Sequence, residues 1–417
     1  MTTRSAIHQA VEERRDEMLE FFTDFLAIET ENPPGRNYPE GAEFLHEFMD
    51  DRGYDVTTVD VPTEVVETYY PDRTDYPRVN VIGDKGKGRG PKIHFTGHFD
   101  VVPAGKDWER DPYNPLIEDG KVYGRGASDM KSGIVASLFA IEALEDVIDL
   151  NGTITQSMTV DEETGGFTGL GYLVEEGYLR SDNVDYCIYT ECFDSSRICL
   201  GHRGVLKFRV TAYGEKAHGC MAHDGQNAIM AMHEFLSQID TYQDELYTRT
   251  TDLPVTPVES KRADINVTMT DAGYSENIIP DRCEATFYRV LVPHESIEAA
   301  RAEIHDLMES AENITDSSFE YEEIMYAEPT SVPETCTVAR TYTDHILDFY
   351  ETTDPVVSPG SDDQRFVVND AGIEECIVYG PGLLDQAHVA DEYVPIEELM
   401  TATKVMATTT ADLMGEL

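Results

Sequence analysis

The stretch "GTITQSMTVDEETGG", residues 152–166, decides how the chain is read. Its first half is rich in β-branched residues, lacks proline and reads as a strand. Its second half sets Glu162 and Glu163 side by side, after Asp161 and before a glycine pair. If the backbone is extended there, neighbouring side chains point to opposite sides. Two adjacent glutamates at a strand end then have different tasks: one can hold something while the other faces something else.

Outward from this stretch, "RVNVIGD" and "KIHFTGHFD" read as strands joined by the glycine-rich turn "KGKGRG". That turn lacks the GK[ST] ending of a phosphate loop and is expected to be a hairpin turn. Residues 6–28 read as an amphipathic helix, "SGIVASLFAIEAL" as a helix with a nearly continuous apolar face, and "VDYCIYTE" as a strand. Strands alternating with helices predict an α/β fold with a mixed, mostly parallel sheet covered on both faces. From residue 204 the order becomes β-α-β-β-α-β, the split βαβ pattern of a ferredoxin-like α+β unit. The α/β alternation then resumes, with helices expected near 335–350 and from 395 onward. The chain is therefore expected to hold one α/β domain in two pieces, 1–203 and 323–417, interrupted by a smaller domain over 204–322.

Candidate ligands recur along the first piece: His98 in "GHFDVVP", Asp129 in "GRGASDMKSG", Glu163 in "DEETGG" and Glu191 in "YTECF". Successive members lie about one βα unit apart, roughly 30 residues. Each falls where a strand ends, and such loops share the carboxyl edge of a parallel sheet. A fifth candidate, His388 in "DQAHVADEYV", follows the insertion. Carboxylates gathered in this way repel one another and titrate upward unless a positive charge sits among them. Two histidines beside them point to a metal: Zn²⁺ first, with Co²⁺ or Mn²⁺ possible. Five ligands exceed the usual three of one catalytic zinc, so two divalent ions sharing a bridging carboxylate account for the set. Asp100, two residues past His98 on the same side of the strand, is expected to accept the other imidazole N–H. Glu163 is then a ligand, and Glu162 faces the bound water as general base.

Composition narrows the partners. The 417 residues hold 31 Lys+Arg against 81 Asp+Glu, a formal charge of −50. Phosphate backbones need a basic patch and none is visible, so nucleic acid is excluded, and anionic membrane surfaces are disfavoured. The acid is spread along the whole chain. Such a coat suits a halophilic protein in concentrated salt, where repulsion is screened within about 3 Å at 1 M. No run of about 18 apolar residues suggests a membrane span. The charged opening "MTTRSAIHQAVEERRDEMLEFF" lacks a signal-peptide core, and seven cysteines without a CxxC pair fit free thiols; a cytoplasmic location is expected.

Seven stretches, "GHFDVVPAG", "GRGASDMKSG", "DEETGG", "AHGCMAHDGQNAI", "ENIIPD", "GSDDQRF" and "GPG…AHVADEYV", occur in the order seen in the M20 metallopeptidases, which the chain resembles over nearly its whole length. The resemblance implies a zinc-peptidase-like fold with an inserted lid and dimerisation domain. It implies that His98, Asp129 and Glu191 bind one metal and that Asp129, Glu163 and His388 bind the other, with Glu162 as the base. It also implies that His218 reaches the partner subunit's active site to stabilise an oxyanion, that Asn277 and Arg289 contact substrate, and that Gly360 and Ser361 line the pocket. A cis peptide between Asp129 and Met130 and a homodimer formed through the lid are further implications. Pro359 and Asp362 depart from the family's pattern, which bears on the acyl or amino-acid preference. The stretch 62–78, "PTEVVETYYPDRTDYPR", is expected to be a pocket-edge loop or a solvated one. The expected activity is that of a dinuclear-metal amidohydrolase removing an N-acyl group from an amino acid, of the acetylornithine deacetylase or succinyl-diaminopimelate desuccinylase type. Its substrate would be a small N-acyl amino acid or a short peptide. An M20 carboxypeptidase or dipeptidase is the alternative, and a metal-binding protein without catalysis is the third reading.

Overall fold

The computed structural model describes residues 2–86 and 88–417. The chain divides into two compact units. The first comprises residues up to Gly201, Val332–Val356 and Asp363–Leu417; the second comprises His202–Ser331 and Val357–Asp362.

The first unit is built on a mixed sheet with a parallel centre. Strands Thr153–Thr159, Lys92–His98, Tyr186–Tyr189 and Cys376–Val378 lie side by side and parallel. Val79–Lys85 and then Asp55–Asp60 extend the sheet antiparallel beyond Thr153–Thr159. The hairpin expected across "KGKGRG" does not form, because Thr153–Thr159 lies between the two strands and pairs with both. The glycines instead let the turn cross the entry to that central strand. The Gly88 N–H donates to the Gly152 carbonyl at 3.2 Å. A Cβ at Gly90 would lie 1.9 Å from the Asn151 carbonyl oxygen. Lys87 of this turn lies outside the described residues.

Helices cover both faces of the sheet. Lys131–Glu145 is buried on nearly every side, which explains its lack of a polar stripe. It packs beside Ile396–Leu413, whose first turn carries Glu397 and Glu398 where the helix dipole favours anions. On the same side, the Phe21 ring packs at a tilt against Phe48 and Phe139, with centroids 4.1 and 5.8 Å away. Leu170 and Leu173 of the helix Leu170–Glu175 join a separate cluster with Ile82, Cys187, Tyr189 and Val378. The single helix expected over 6–28 is two helices, Thr3–Glu13 and Arg15–Leu26, broken at Arg14. Among the described residues, no helix is long and apolar enough to cross a membrane.

The second unit is a four-stranded antiparallel sheet in the order Asp264–Ala272, Arg282–Leu291, Gly204–Tyr213, Ser318–Ala327. With helices Ala228–Leu246 and Ile297–Thr315 this is the ferredoxin-like arrangement. Leu206, Phe208, Val210 and Ala212 alternate onto the buried face and meet Met232, Phe235 and Ile304 of the helices. Asn227 and Ser296 cap the two helices with their side-chain oxygens. The boundary expected at 322 falls inside the last strand, which continues to Ala327, so this unit extends to Ser331 and also takes in Val357–Asp362.

Candidate active site

The register of the parallel strands builds the site. His98 is level with Thr159, and Thr96 is level with Tyr189. The chain leaves all three strands at one edge, carrying His98, then Glu162 and Glu163, then Glu191 to the same rim. His98 Nε2 lies 3.3 Å from Asp129 Oδ1 and 3.2 Å from Glu191 Oε2. His388 Nε2 lies 3.2 Å from Asp129 Oδ2 and 3.0 Å from Glu163 Oε2. The two oxygens of Asp129 thus face two different imidazoles. The ligand atoms in each trio, His98–Asp129–Glu191 and Asp129–Glu163–His388, lie within 4.8 Å of one another. Glu162 belongs to neither trio, and its Oε2 stands 3.7 Å from His98 Nε2. The Asp129–Met130 peptide is cis.

The electrostatics are those of crowded anions. Burial, together with the Asp129 charge, pushes Glu163 up to about 7. Burial raises Glu162 well above the carboxylate range and also raises Glu191. Burial acts on Asp129 in the same direction, but hydrogen bonds from His388 and His98 outweigh it and hold Asp129 below its ordinary value. Hydrogen bonds to Asp129 and Glu163 carry His388 up to about 11. Glu163 Oε1 is buried without a hydrogen-bond partner. An orphaned carboxylate oxygen, two imidazoles aimed at shared oxygens and a donor set of nitrogen and carboxylate all fit divalent cations.

A second ring of residues shapes this rim. Asp100 differs from its expected role. His98 Nδ1 meets the Asp100 main-chain carbonyl at 3.0 Å, and the carboxylate lies farther off at 3.4 Å. The carboxylate instead accepts the N–H groups of Glu162 and Glu163, each at 3.3 Å, and an Asn32 amide N–H at 2.8 Å. It therefore holds the turn that presents both glutamates. Asp161 supports the turn from below. It adopts φ 65°, accepts from Tyr38 Oη and Thr168 Oγ1, and forms a wholly buried ion pair with Arg78 at 2.6 Å. The stretch 62–78 is not an open loop: it forms the helix Thr63–Tyr69 and a 3-10 turn at Pro71–Arg73. Its Arg73 donates to Thr164 Oγ1 at 3.2 Å, and Arg78 reaches Asp161, so the stretch props the glutamate turn. Asp161, Arg78 and Asn32 carry no motif of their own.

The remaining expected residues lie in the second unit. His218 and Ile278 pair on a short ribbon, and Gly219 donates its N–H to the Asn277 carbonyl at 2.8 Å, so His218 and Asn277 come together. His218 is exposed, and its Nδ1 accepts the Cys220 N–H at 3.2 Å. Gly360 and Ser361 sit in the Val357–Asp362 segment, where the Gly360 N–H donates to Ser358 Oγ at 3.1 Å. Arg289 is a correction. It is fully buried, its guanidinium pairs with Glu295 at 2.6 Å and donates to Tyr242 Oη and the Val290 carbonyl. Its charge is spent inside the unit, which makes it a structural residue here and not a substrate contact.

Two cation-sized ligand trios sharing one carboxylate, with a half-buried glutamate outside both beside them, define a metal-dependent hydrolase. Residues 94–412 match Peptidase family M20/M25/M40, and the chain belongs to that family, whose members hydrolyse amide or peptide bonds. A succinyl-diaminopimelate desuccinylase of Alkalilimnicola ehrlichii is 31% identical over 223 residues, which span 52% of this chain and 57% of that protein, under two thirds of its length. A probable succinyl-diaminopimelate desuccinylase of Staphylococcus aureus is 25% identical over 401 residues, 91% of this chain and 93% of its own. The solved structure of the dipeptidase Dug1p from Saccharomyces cerevisiae shares the fold, with a TM-score of 0.80 at 14% identity over 100% of this chain and 99% of that one.

Proposed function

We propose that the protein removes an N-acyl group from an amino acid, with N-succinyl-diaminopimelate or N-acetylornithine as the substrate type. The observation that carries this reading is the convergence of His98, Asp129, Glu163, Glu191 and His388 around Glu162. The similarity to two desuccinylases supports the acyl amino acid. His98, Asp129 and Glu191 would hold one divalent cation, and Asp129, Glu163 and His388 the other, Zn²⁺ being favoured by the nitrogen and carboxylate donors. Bound there, the pair would polarise the scissile carbonyl and lower the pKa of water. Glu162, outside both trios with its Oε2 3.7 Å from His98 Nε2, is placed to take the proton of the attacking water and hand it to the departing amine. Asp100 and Asp161 keep its turn rigid, so the proton acceptor stays aimed.

His218 serves in this reading as the oxyanion donor delivered by a second copy of the chain, with the second unit forming the homodimer. Its exposure and its place beside Asn277 support that role. The −50 charge supports a salt-adapted cytoplasmic enzyme. The test is hydrolysis of N-succinyl-diaminopimelate and N-acetylornithine with Zn²⁺ or Co²⁺ in concentrated KCl. Absence of turnover on any N-acyl amino acid rejects the deacylase reading. A dipeptide panel in the same assay separates the peptidase alternative, which would use the same centre.

A further inference from the structure

His388 is the least sheltered of the five ligands: its side chain is 54% exposed, against 13% or less for His98, Asp129, Glu163 and Glu191. Its placement therefore depends heavily on the backbone that carries it, here at φ 62°. Four residues on stands Glu392, fully buried, with both carboxylate oxygens turned to a single loop. Oε1 accepts the N–H groups of Ser128 at 2.7 Å and Asp129 at 3.0 Å. Oε2 accepts the Gly126 N–H at 3.0 Å and an Arg125 guanidinium N–H at 2.6 Å. Its neighbour Asp391 accepts the Arg110 N–H at 3.0 Å, tying the same segment to a second loop. One short segment thus carries the histidine of one trio and grips the main chain of the carboxylate common to both. Arg125, itself buried, balances the Glu392 charge, so the clamp adds no net anion to the rim.

We propose that Glu392 is a positioning residue for the cation pair. By locking the loop 125–129 to the segment of His388 it sets the gap between Asp129 and His388. It thereby sets the affinity for divalent cations, most of all at the Asp129–Glu163–His388 trio. The proposal rests on the two-cation reading above. Carboxylates that orient metal ligands through hydrogen bonds commonly change affinity about 10–100-fold when removed.

The test is calorimetric titration of Zn²⁺ into cation-free wild type and Glu392→Gln. Glutamine keeps the shape and one acceptor, but its amide nitrogen cannot accept from Gly126 or Arg125. Both dissociation constants are expected to rise, by about 10–100-fold at the weaker site, with kcat recovered at saturating Zn²⁺. Because a stranded Arg125 could unfold the chain, the Arg125→Met/Glu392→Gln double variant is titrated in parallel, and the same weakening is expected in a folded protein. A merely structural residue would lower the melting temperature of the cation-free protein and leave the dissociation constants alone; that result overturns the proposal. Wild type that binds no cation would instead overturn the two-cation centre itself. Wild type with two cations and a folded variant that binds them equally tightly removes only the clamp.

Discussion

Replacing Glu162 by glutamine probes the division of labour between the adjacent glutamates. Glu162 Oε2 stands 3.7 Å from His98 Nε2, whereas the ligand oxygens approach an imidazole to 3.0–3.3 Å, so Glu162 sits one step back from the cation trios. Its side chain is only 13% exposed, which leaves little room for bulk water to replace it as a proton carrier. Glutamine keeps the volume but cannot take a proton and return it. General acid–base catalysis contributes about 10²–10⁴-fold, or about 3–5 kcal/mol of barrier at 1.36 kcal/mol per decade. The expected result is a kcat lower by that factor, with KM nearly unchanged and two cations per chain by elemental analysis in both proteins. Burial already pushes Glu162 toward its neutral form, so the neutral amide should leave the stability of the cation-free protein close to wild type. Loss of a cation in Glu162→Gln, or wild-type turnover with both cations present, refutes the assignment of base to Glu162 and ligand to Glu163.

Arg78→Met should strand the Asp161 charge in a dry interior and cost about 3–5 kcal/mol, read as a fall in denaturant midpoint; Asp161→Asn/Arg78→Met should recover part of it, and an unchanged midpoint in the single variant would remove Asp161 as the prop of the turn. Burial pulls His94 down to about 3 from an unfolded value near 6.5, so the folded state binds fewer protons in that window and stability falls as the pH is lowered from the upper value toward the lower. At pH 5.5 this loss amounts to about 1.4 kcal/mol, and His94→Asn should flatten that part of the stability–pH curve; an equal slope in the variant would locate the acid sensitivity elsewhere. Chelation should lower the melting temperature, and adding Zn²⁺ back at 100 times its dissociation constant should restore about 2.7 kcal/mol per site; a melt indifferent to chelator would contradict the paired trios.

Much of the site was legible before any coordinates, for a physical reason. A parallel sheet places every strand's exit on one edge, so His98, Asp129, Glu163 and Glu191 at βα-unit intervals could be assigned to one rim. The ferredoxin-like insertion was legible because its order of elements admits few topologies. What stayed hidden depends on partners distant in sequence. Asp100 could be placed beside His98, but not under the Glu162 and Glu163 amides, because that contact depends on the path of a turn. Arg289 looked free, since Glu295, which consumes its charge, is an unremarkable acid in a chain full of them. Arg78, Asn32 and Glu392 act through backbone groups, and backbone groups leave no trace in residue identity. The misread hairpin had a related cause: a glycine-rich turn between two strands looks the same whether the strands meet or a third comes between them.

The strand Thr153–Thr159 pairs with Val79–Lys85 on one side and Lys92–His98 on the other. Val79–Lys85 can already pair with Asp55–Asp60, but neither flanking strand can meet this shared neighbour until the chain has been made through Thr159. The catalytic rim therefore cannot assemble before that strand is made. As the chain emerges, His98 precedes the glutamates that will share its edge, and the sheet closes only around the segment that delivers them. A truncation ending before Thr153 would leave one edge of Val79–Lys85 and both edges of Lys92–His98 unpaired, a substrate for aggregation more than a folding intermediate.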